Sequence, residues 1–320
     1  MQGRGRGAAA RRDLRILVLG AAAGGGFPQW NCNCANCRRA RAGDPAALPR
    51  TQSSLALSAD GARWALLNAS PDLRQQIAVS PALHPRNGAR DSPIAAAVLT
   101  SGDIDHVAGL LTMRESQPFS LYATGRVQAA LAANPIFGAL GAAVARRTLA
   151  LDRPEDLLDR DGGRLGLRVT PFAVPGKIAL YLEDPAAGPD FGTQPGDTIG
   201  LEIDDGAGGR VYYVPACAAF PPALAERLAG ARAVFFDGTL WNDDEMTAAG
   251  LGRKSGRRMG HMSMAGADGT IAAFRALAVG RKIFVHVNNT NPVLLDDSPE
   301  RAEAEAAGWE IAFDGMEIDL

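Results

Sequence analysis

The chain has 320 residues, 47% of them hydrophobic and 21% charged, and its 33 Lys and Arg against 35 Asp and Glu leave a formal net charge of −2. That balance, with a pI near 6.1, provides no global field to attract nucleic acid or an anionic membrane. No run approaches the roughly 18 apolar residues of a membrane span, and the composition suits a globular protein with a sizeable core.

Residues 1–13, MQGRGRGAAARRD, carry Arg and Gly without the apolar core of a secretory signal. They read as a disordered leader, followed by a single domain over 14–320. Arg15–Gly20 (RILVLG) predicts the first strand, and Gly24, Gly25 and Gly26 then allow a tight turn. These glycines do not make G-x-G-x-x-G, and no Walker lysine follows them. Cys32, Cys34 and Cys37 come next, three of only four cysteines. Such crowding argues for zinc rather than a disulfide framework, and for a reducing, cytoplasmic setting.

Residues 55–57 and 64–67 read as paired strands joined through Asp60-Gly61, and Ser70-Pro71-Asp72 starts a helix with Ser70 as its cap. A buried strand over 94–99 runs into TSGDIDHVAG, after which the spacing of Val107, Leu110, Leu111 and Met113 predicts a helix. A strand at 121–123 and a helix at 127–133 follow. Strands are then expected at 165–174, 178–183, 199–203 and 211–214, with the Gly- and Pro-rich 185–197 as a long loop and candidate lid. The last third alternates helix and strand: 223–228, 233–237, 270–277, 283–287, 301–306 and 310–313. Two strand-rich halves, each followed by helices, predict two sheets covered on both outer faces, with no linker or repeat to divide them.

Candidate chemistry gathers at strand ends. Asp105 and His106 stand side by side where 94–99 gives way to helix, with Asp103 just before them. Carboxylate and imidazole are both metal ligands; the alternative is that Asp105 caps the helix and His106 packs beneath it. His286 ends another apolar strand and opens the run Asn288-Asn289-Thr290-Asn291, either as a site or as a satisfied core imidazole. His261, in MGHMSMAG, is flanked by residues small enough to present it to a pocket. Arg114 and Glu115 either meet a charged substrate or pair with each other.

TSGDIDHVAG resembles the T-H-x-H-x-D-H-x-x-G signature of the metallo-β-lactamase superfamily, its last Asp and His matching Asp105 and His106. The two earlier His positions fall on Ser101 and Asp103, so the ligands of one of the family's two metal positions are missing. With GGGFPQWNCNCANC and FVHVNNTNP, the chain resembles the PqqB family of pyrroloquinoline quinone (PQQ) biosynthesis over nearly its whole length.

The resemblance implies an αββα sandwich, two mixed β-sheets flanked by helices. It implies an active-site metal on Asp105, His106 and His286, with Asp103 a candidate fourth ligand. One carboxylate and two imidazoles are the ligand count of non-haem Fe(II) oxygenases, which favours Fe(II) over a zinc hydrolase. Similarity to the tRNA-processing nucleases places Asp237, in FFDGTLW, beside His261 as a proton-transfer pair. The cysteines would hold a structural zinc, its fourth ligand being Cys217 or a side chain near Asn289, where phosphonate-pathway relatives carry a His. The implied activity is O₂-using hydroxylation of the tyrosine ring of a peptide-derived precursor. That small, amino-acid-like substrate would meet Asn288, Asn289, Asn291 and Arg114. Two rival readings stand beside it: a non-catalytic carrier for PQQ or its precursor, and a metal-dependent hydrolase, which the substitutions at Ser101 and Asp103 disfavour. A homodimer is compatible with the sequence.

Overall fold

The structure, a computed structural model, describes residues 14–188, 190–206 and 208–320. The leader expected at 1–13 lies outside the described residues. Strands β1 to β14 are, in chain order, Arg15–Gly20, Ser54–Ser58, Trp64–Leu67, Ile94–Val98, Phe119–Thr124, Val144–Leu149, Glu155–Leu158, Arg164–Ala173, Ile199–Asp204, Arg210–Val214, Ala233–Asp237, Arg281–Val285, Trp309–Ile311 and Glu317–Asp319. They form two seven-stranded mixed sheets, ordered β14-β1-β2-β3-β4-β5-β6 and β13-β12-β11-β10-β9-β8-β7. The expected sandwich is therefore the one observed.

Inward-facing side chains of both sheets meet in one core: Ile16, Val18, Leu55, Leu57, Leu67 and Val98 against Val169, Leu201, Val211, Tyr213, Phe235 and Val285. Strand β8 shows why, since Leu165, Leu167 and Val169 are buried while the residues between them are exposed. The outer faces are covered separately. Leu66, Leu99, Leu121, Val127 and Leu131 gather on one side, and Phe236, Phe274, Phe284, Trp309 and Ala304 on the other. The β2/β3 hairpin turns as expected, with Gly61 at φ 68° and Asp60 accepting from the amides of Ala62 and Arg63, both at 2.8 Å.

Four expectations need correction. Residues 178–183 do not form a strand; they hold only a single turn of 3₁₀ helix, Leu180–Leu182, with Leu180 60% exposed. The segment has no ladder partner because Tyr181 turns to donate to the Gly102 carbonyl at 2.9 Å. Ser70 does not cap the following helix, Leu73–Val79; its hydroxyl donates to Gln76 Oε1 at 3.0 Å instead. The helix after TSGDID is one α-turn, Ile104–Val107, continued as 3₁₀ over Ala108–Met113. That over 270–277 shortens to Thr270–Ala273.

The topology brings one set of strand ends together. β4 is parallel to β3 and β5, and β11 is parallel to β12 with Asp237 opposite Val285. Their carboxyl ends share one edge of the sandwich, the place where open parallel sheets expose residues for chemistry. The sheets are stitched there by the Ser101–Thr198 and Ala22–Val287 bridges. Gly109 closes the signature loop: a Cβ there would lie 2.0 Å from the Ser70 carbonyl oxygen, so no larger residue fits.

Candidate metal centre

Asp105, His106 and His286 converge from the two sheets, each offering a ligand atom within 4.8 Å of the others. Asp105 Oδ2 lies 3.0 Å from His286 Nε2 and 3.9 Å from His106 Nε2. Two ligand atoms each about 2.1 Å from one ion are about 3.0 Å apart at a right angle and about 4.2 Å apart when opposed. Both distances fall within that range.

Hydrogen bonding fixes which nitrogen each histidine presents. The Ser101 hydroxyl donates to Asp103 Oδ2 at 2.9 Å and therefore accepts from His106 Nδ1–H at 2.8 Å. His106 Nε2 is left with its lone pair, buried and without a partner. Burial pushes the His106 pKa down, outweighing Asp105, so the ring is neutral and ready to bind a cation. His286 repeats the arrangement, with Nδ1 on Thr239 Oγ1 at 2.9 Å and Nε2 facing Asp105. Burial opposes ionisation of His286, but the bond to Asp105 prevails and raises its pKa. Asp105 is held well below the usual carboxylate range: burial works against this, and His106 and His286 outweigh it. A lone pair and a carboxylate oxygen 3.0 Å apart demand a proton or a cation between them. The three residues thus fit one metal ion. His286 takes φ 59°, an uncommon backbone setting for a residue with a Cβ and one that clusters at functional sites.

The signature's histidines at the second metal position are absent, although Asp237, His261 and His286 also bring ligand atoms within 4.8 Å of one another. Ser101 and Asp103, where the signature has histidines, support His106, and Asp103 is bonded to Ser101 rather than grouped with the three ligands. Asp237 is fully buried and saturated. Its Oδ1 accepts from the Thr239 amide and hydroxyl at 3.0 and 2.6 Å; its Oδ2 accepts from the Cys217 amide at 2.9 Å and from His261 Nδ1 at 2.8 Å. Asp237 therefore orients His261, whose free Nε2 faces the cavity. Thr239, unanticipated from sequence, ties Asp237, His261 and His286 together; its only signal was a hydroxyl two places after Asp237 at a strand end.

A cavity of about 430 Å³ opens over these groups, lined deep by Asp105, His106, His261, His286 and Thr239, and toward its mouth by Lys177, Tyr181, Met246 and Lys254. Among the described residues of 185–197, where a lid was expected, none lines the cavity; Lys177, Leu180 and Tyr181 upstream do. Of the expected substrate-binding residues only Asn288 lines it. Arg114 is exposed and pairs with Glu115. Asn291 is buried, donating to the Gly238 carbonyl at 3.0 Å.

Asn289 has turned to the cysteines. Its side-chain amide lies 3.1, 3.8 and 3.4 Å from the sulfurs of Cys32, Cys34 and Cys37. The facing atom is Nδ2, so Asn289 donates hydrogen bonds to the three sulfurs, which themselves lie within 4.8 Å of one another. Of the two candidates for fourth ligand, only Asn289 lies against the three thiols. Cys217 points its thiol at the Ala219 carbonyl, 3.1 Å away. Asn36 reinforces the junction by donating to the carbonyls of Asn289, Thr290 and Asn291 at 3.2, 3.0 and 3.1 Å.

Residues 63–287 match the family model described as a beta-lactamase superfamily domain. The chain is 58% identical over 308 residues to coenzyme PQQ synthesis protein B of Gluconacetobacter diazotrophicus, covering 95% of this chain and 99% of that one. The chain belongs to the coenzyme PQQ synthesis protein B family. Zn(2+)-bound PqqB from Methylobacterium extorquens superposes with a TM-score of 0.90 at 51% identity, over 96% of this chain and 100% of the other. The family's metallo-β-lactamase fold is shared more distantly by a diphosphatase of the PhnP family, with a TM-score of 0.68 at 21% identity over 96% and 97% of the two chains.

Proposed function

We propose that the chain acts in PQQ biosynthesis as an Fe(II)-dependent, O₂-using hydroxylase of the tyrosine ring of a peptide-derived precursor. The observation that carries this reading is the ligand set: one carboxylate and two imidazoles around one cation position, with the partners of a second metal replaced by Ser101 and Asp103. This donor set is the facial triad of non-haem iron oxygenases, which leaves positions open for other ligands. When bound, iron would supply dioxygen activation. The names of relatives that synthesise PQQ support the pathway.

The balance of the reaction assigns work to the chain's own residues. One oxygen atom enters a ring C–H to give C–OH; the other leaves as water, consuming two electrons and two protons from an external reductant. His261 Nε2, held toward the cavity by the bond from Nδ1 to buried Asp237, is placed to accept and return protons. Asp105, His106 and His286 would hold the metal, and Ser101 and Thr239, bonded to the Nδ1 atoms of His106 and His286, orient the two rings. Leu180, Tyr181 and Met246 line the mouth and offer an apolar wall to an aromatic ring. The three converging thiols of Cys32, Cys34 and Cys37, away from the cavity, support a structural zinc. The Zn(2+) reported for the Methylobacterium extorquens relative supports zinc binding here without fixing which site it fills.

A carrier would need neither an oriented imidazole nor a partnerless metal-facing nitrogen, and a hydrolase of the two-metal kind would need the missing ligands. The test is anaerobic loading with Fe(II), then admission of oxygen with a tyrosine-containing dipeptide. Ring-hydroxylated product that disappears in His106→Ala supports the reading; tight quinone binding with no turnover under any metal supports the carrier.

A further inference from the structure

The mouth of the cavity carries two ammonium groups that the metal centre does not use. Lys177 and Lys254 both line it, on separate segments. Lys254 Nζ lies 3.6 Å from Glu183, but Glu183 is already satisfied: Arg258 holds it with two parallel bonds of 3.2 and 2.8 Å. The Glu183, Arg258 and Lys254 cluster therefore keeps one positive charge in excess, on a lysine whose side chain is 38% exposed. Lys177 is more enclosed. Its ammonium faces Asp103 at 3.5 Å, and its stem lies against Gly260, where a Cβ would come within 3.0 Å of Lys177 Cγ. Gly260 holds φ 93°, which favours glycine and keeps that groove open for the stem.

We propose that Lys254, backed by Lys177, anchors a substrate carboxylate at the cavity mouth and so selects substrates that carry one. The inference rests on the reading of the site as one for an amino-acid-like precursor and adds the group that it recognises. A carboxylate fits better than a phosphate. The two cations are compact point charges on separate segments, Arg258 is committed to Glu183, and among the described residues no guanidinium lines the cavity. Asp103 offsets Lys177, so Lys254 carries most of the attraction. Arg258 also stacks on Phe191, its guanidinium carbon 3.6 Å from the ring centre, which ties the 180–191 loop to the segment that bears Lys254.

The test uses the full chain without added metal and two probes, pyrroloquinoline quinone as the free triacid and its trimethyl ester, with dissociation constants from calorimetry. The acid is expected to bind at least about tenfold more tightly than the ester, the size of one charge-assisted bond, and to weaken with added salt. Lys254→Met removes most of that preference and Lys254→Arg restores it, with circular dichroism unchanged because the side chain is at the surface. Equal affinity for acid and ester, or an unaltered preference in Lys254→Met, overturns the assignment. The two readings fail separately. Hydroxylation by the iron-loaded protein with no preference for the acid sinks this inference alone, and acid preference without hydroxylation sinks the activity alone.

Discussion

Ser101 illustrates how a lost ligand becomes a support. A hydroxyl in place of an imidazole is too short to reach a metal, yet it bridges Asp103 and His106 Nδ1 and leaves Nε2 of His106 as the only nitrogen able to bind. Ser101→Ala frees the ring to flip or change tautomer, and metal affinity is expected to fall about 10- to 100-fold, the usual effect of removing a group behind a ligand. Chelator competition measures it; an unchanged affinity contradicts the role. Glu245 makes a second residue-scale case. Burial raises its pKa to about 7, despite bonds from Thr290 and the amide of Trp241. A carboxyl with its folded pKa above its unfolded one binds extra protons when folded, so stability falls as pH rises from about 4.5 to about 7. Glu245→Gln is expected to flatten that slope and to gain on the order of 1 to 2 kcal/mol above pH 7. Parallel urea melts at pH 5 and pH 8 read it, and equal slopes in both proteins contradict it.

At the scale of elements, the site is made of strand ends. Asp105, His106 and His286 were legible as polar groups at the ends of apolar runs, but their role as one ligand set, like that of Asp237 beside His261, came from the resemblance to the metallo-β-lactamase superfamily. Thr239 escaped because a threonine after Asp-Gly carries no distinctive signal. Residues 178–183 were misread because the run IALYLE has the apolar content of a strand, while its real partners are the cavity and the Gly102 carbonyl. Asn289 and Asn291 were grouped with Asn288 as a polar rim, but adjacent residues in a turn point different ways. Only Asn288 meets the cavity, Asn289 meets the thiols, and Asn291 caps the turn Pro292–Leu294 by accepting from Val293 at 3.1 Å. The cysteine site fastens the helix Ala35–Arg41 to that turn. Stripping zinc with a thiol-competitive chelator is expected to lower the melting temperature by several degrees. The same loss is expected in His106→Ala, which spares the cysteines, and a much smaller one in Cys37→Ser. Identical chelator responses in wild type and Cys37→Ser contradict a structural zinc.

For the molecule as a whole, the two-sheet sandwich was legible from two strand-rich halves with helices between them, and its closure from the signature residues. What no composition could give was the distance between Asp105 and His286, 181 positions apart in the chain and joined only when the sheets pack. Among the described residues no helix is long and apolar enough to cross a membrane. The proposed function rests on one claim, that a two-metal scaffold has become a site for one iron with open positions. The most direct measurement is electron paramagnetic resonance of the protein loaded with Fe(II) under nitrogen and exposed to nitric oxide, a surrogate for dioxygen. The account predicts the half-integer-spin signal of a single iron that binds nitric oxide, one iron per chain, abolished in His106→Ala and retained in Cys37→Ser. A silent, coupled pair of irons, or a signal that survives in His106→Ala, would contradict it.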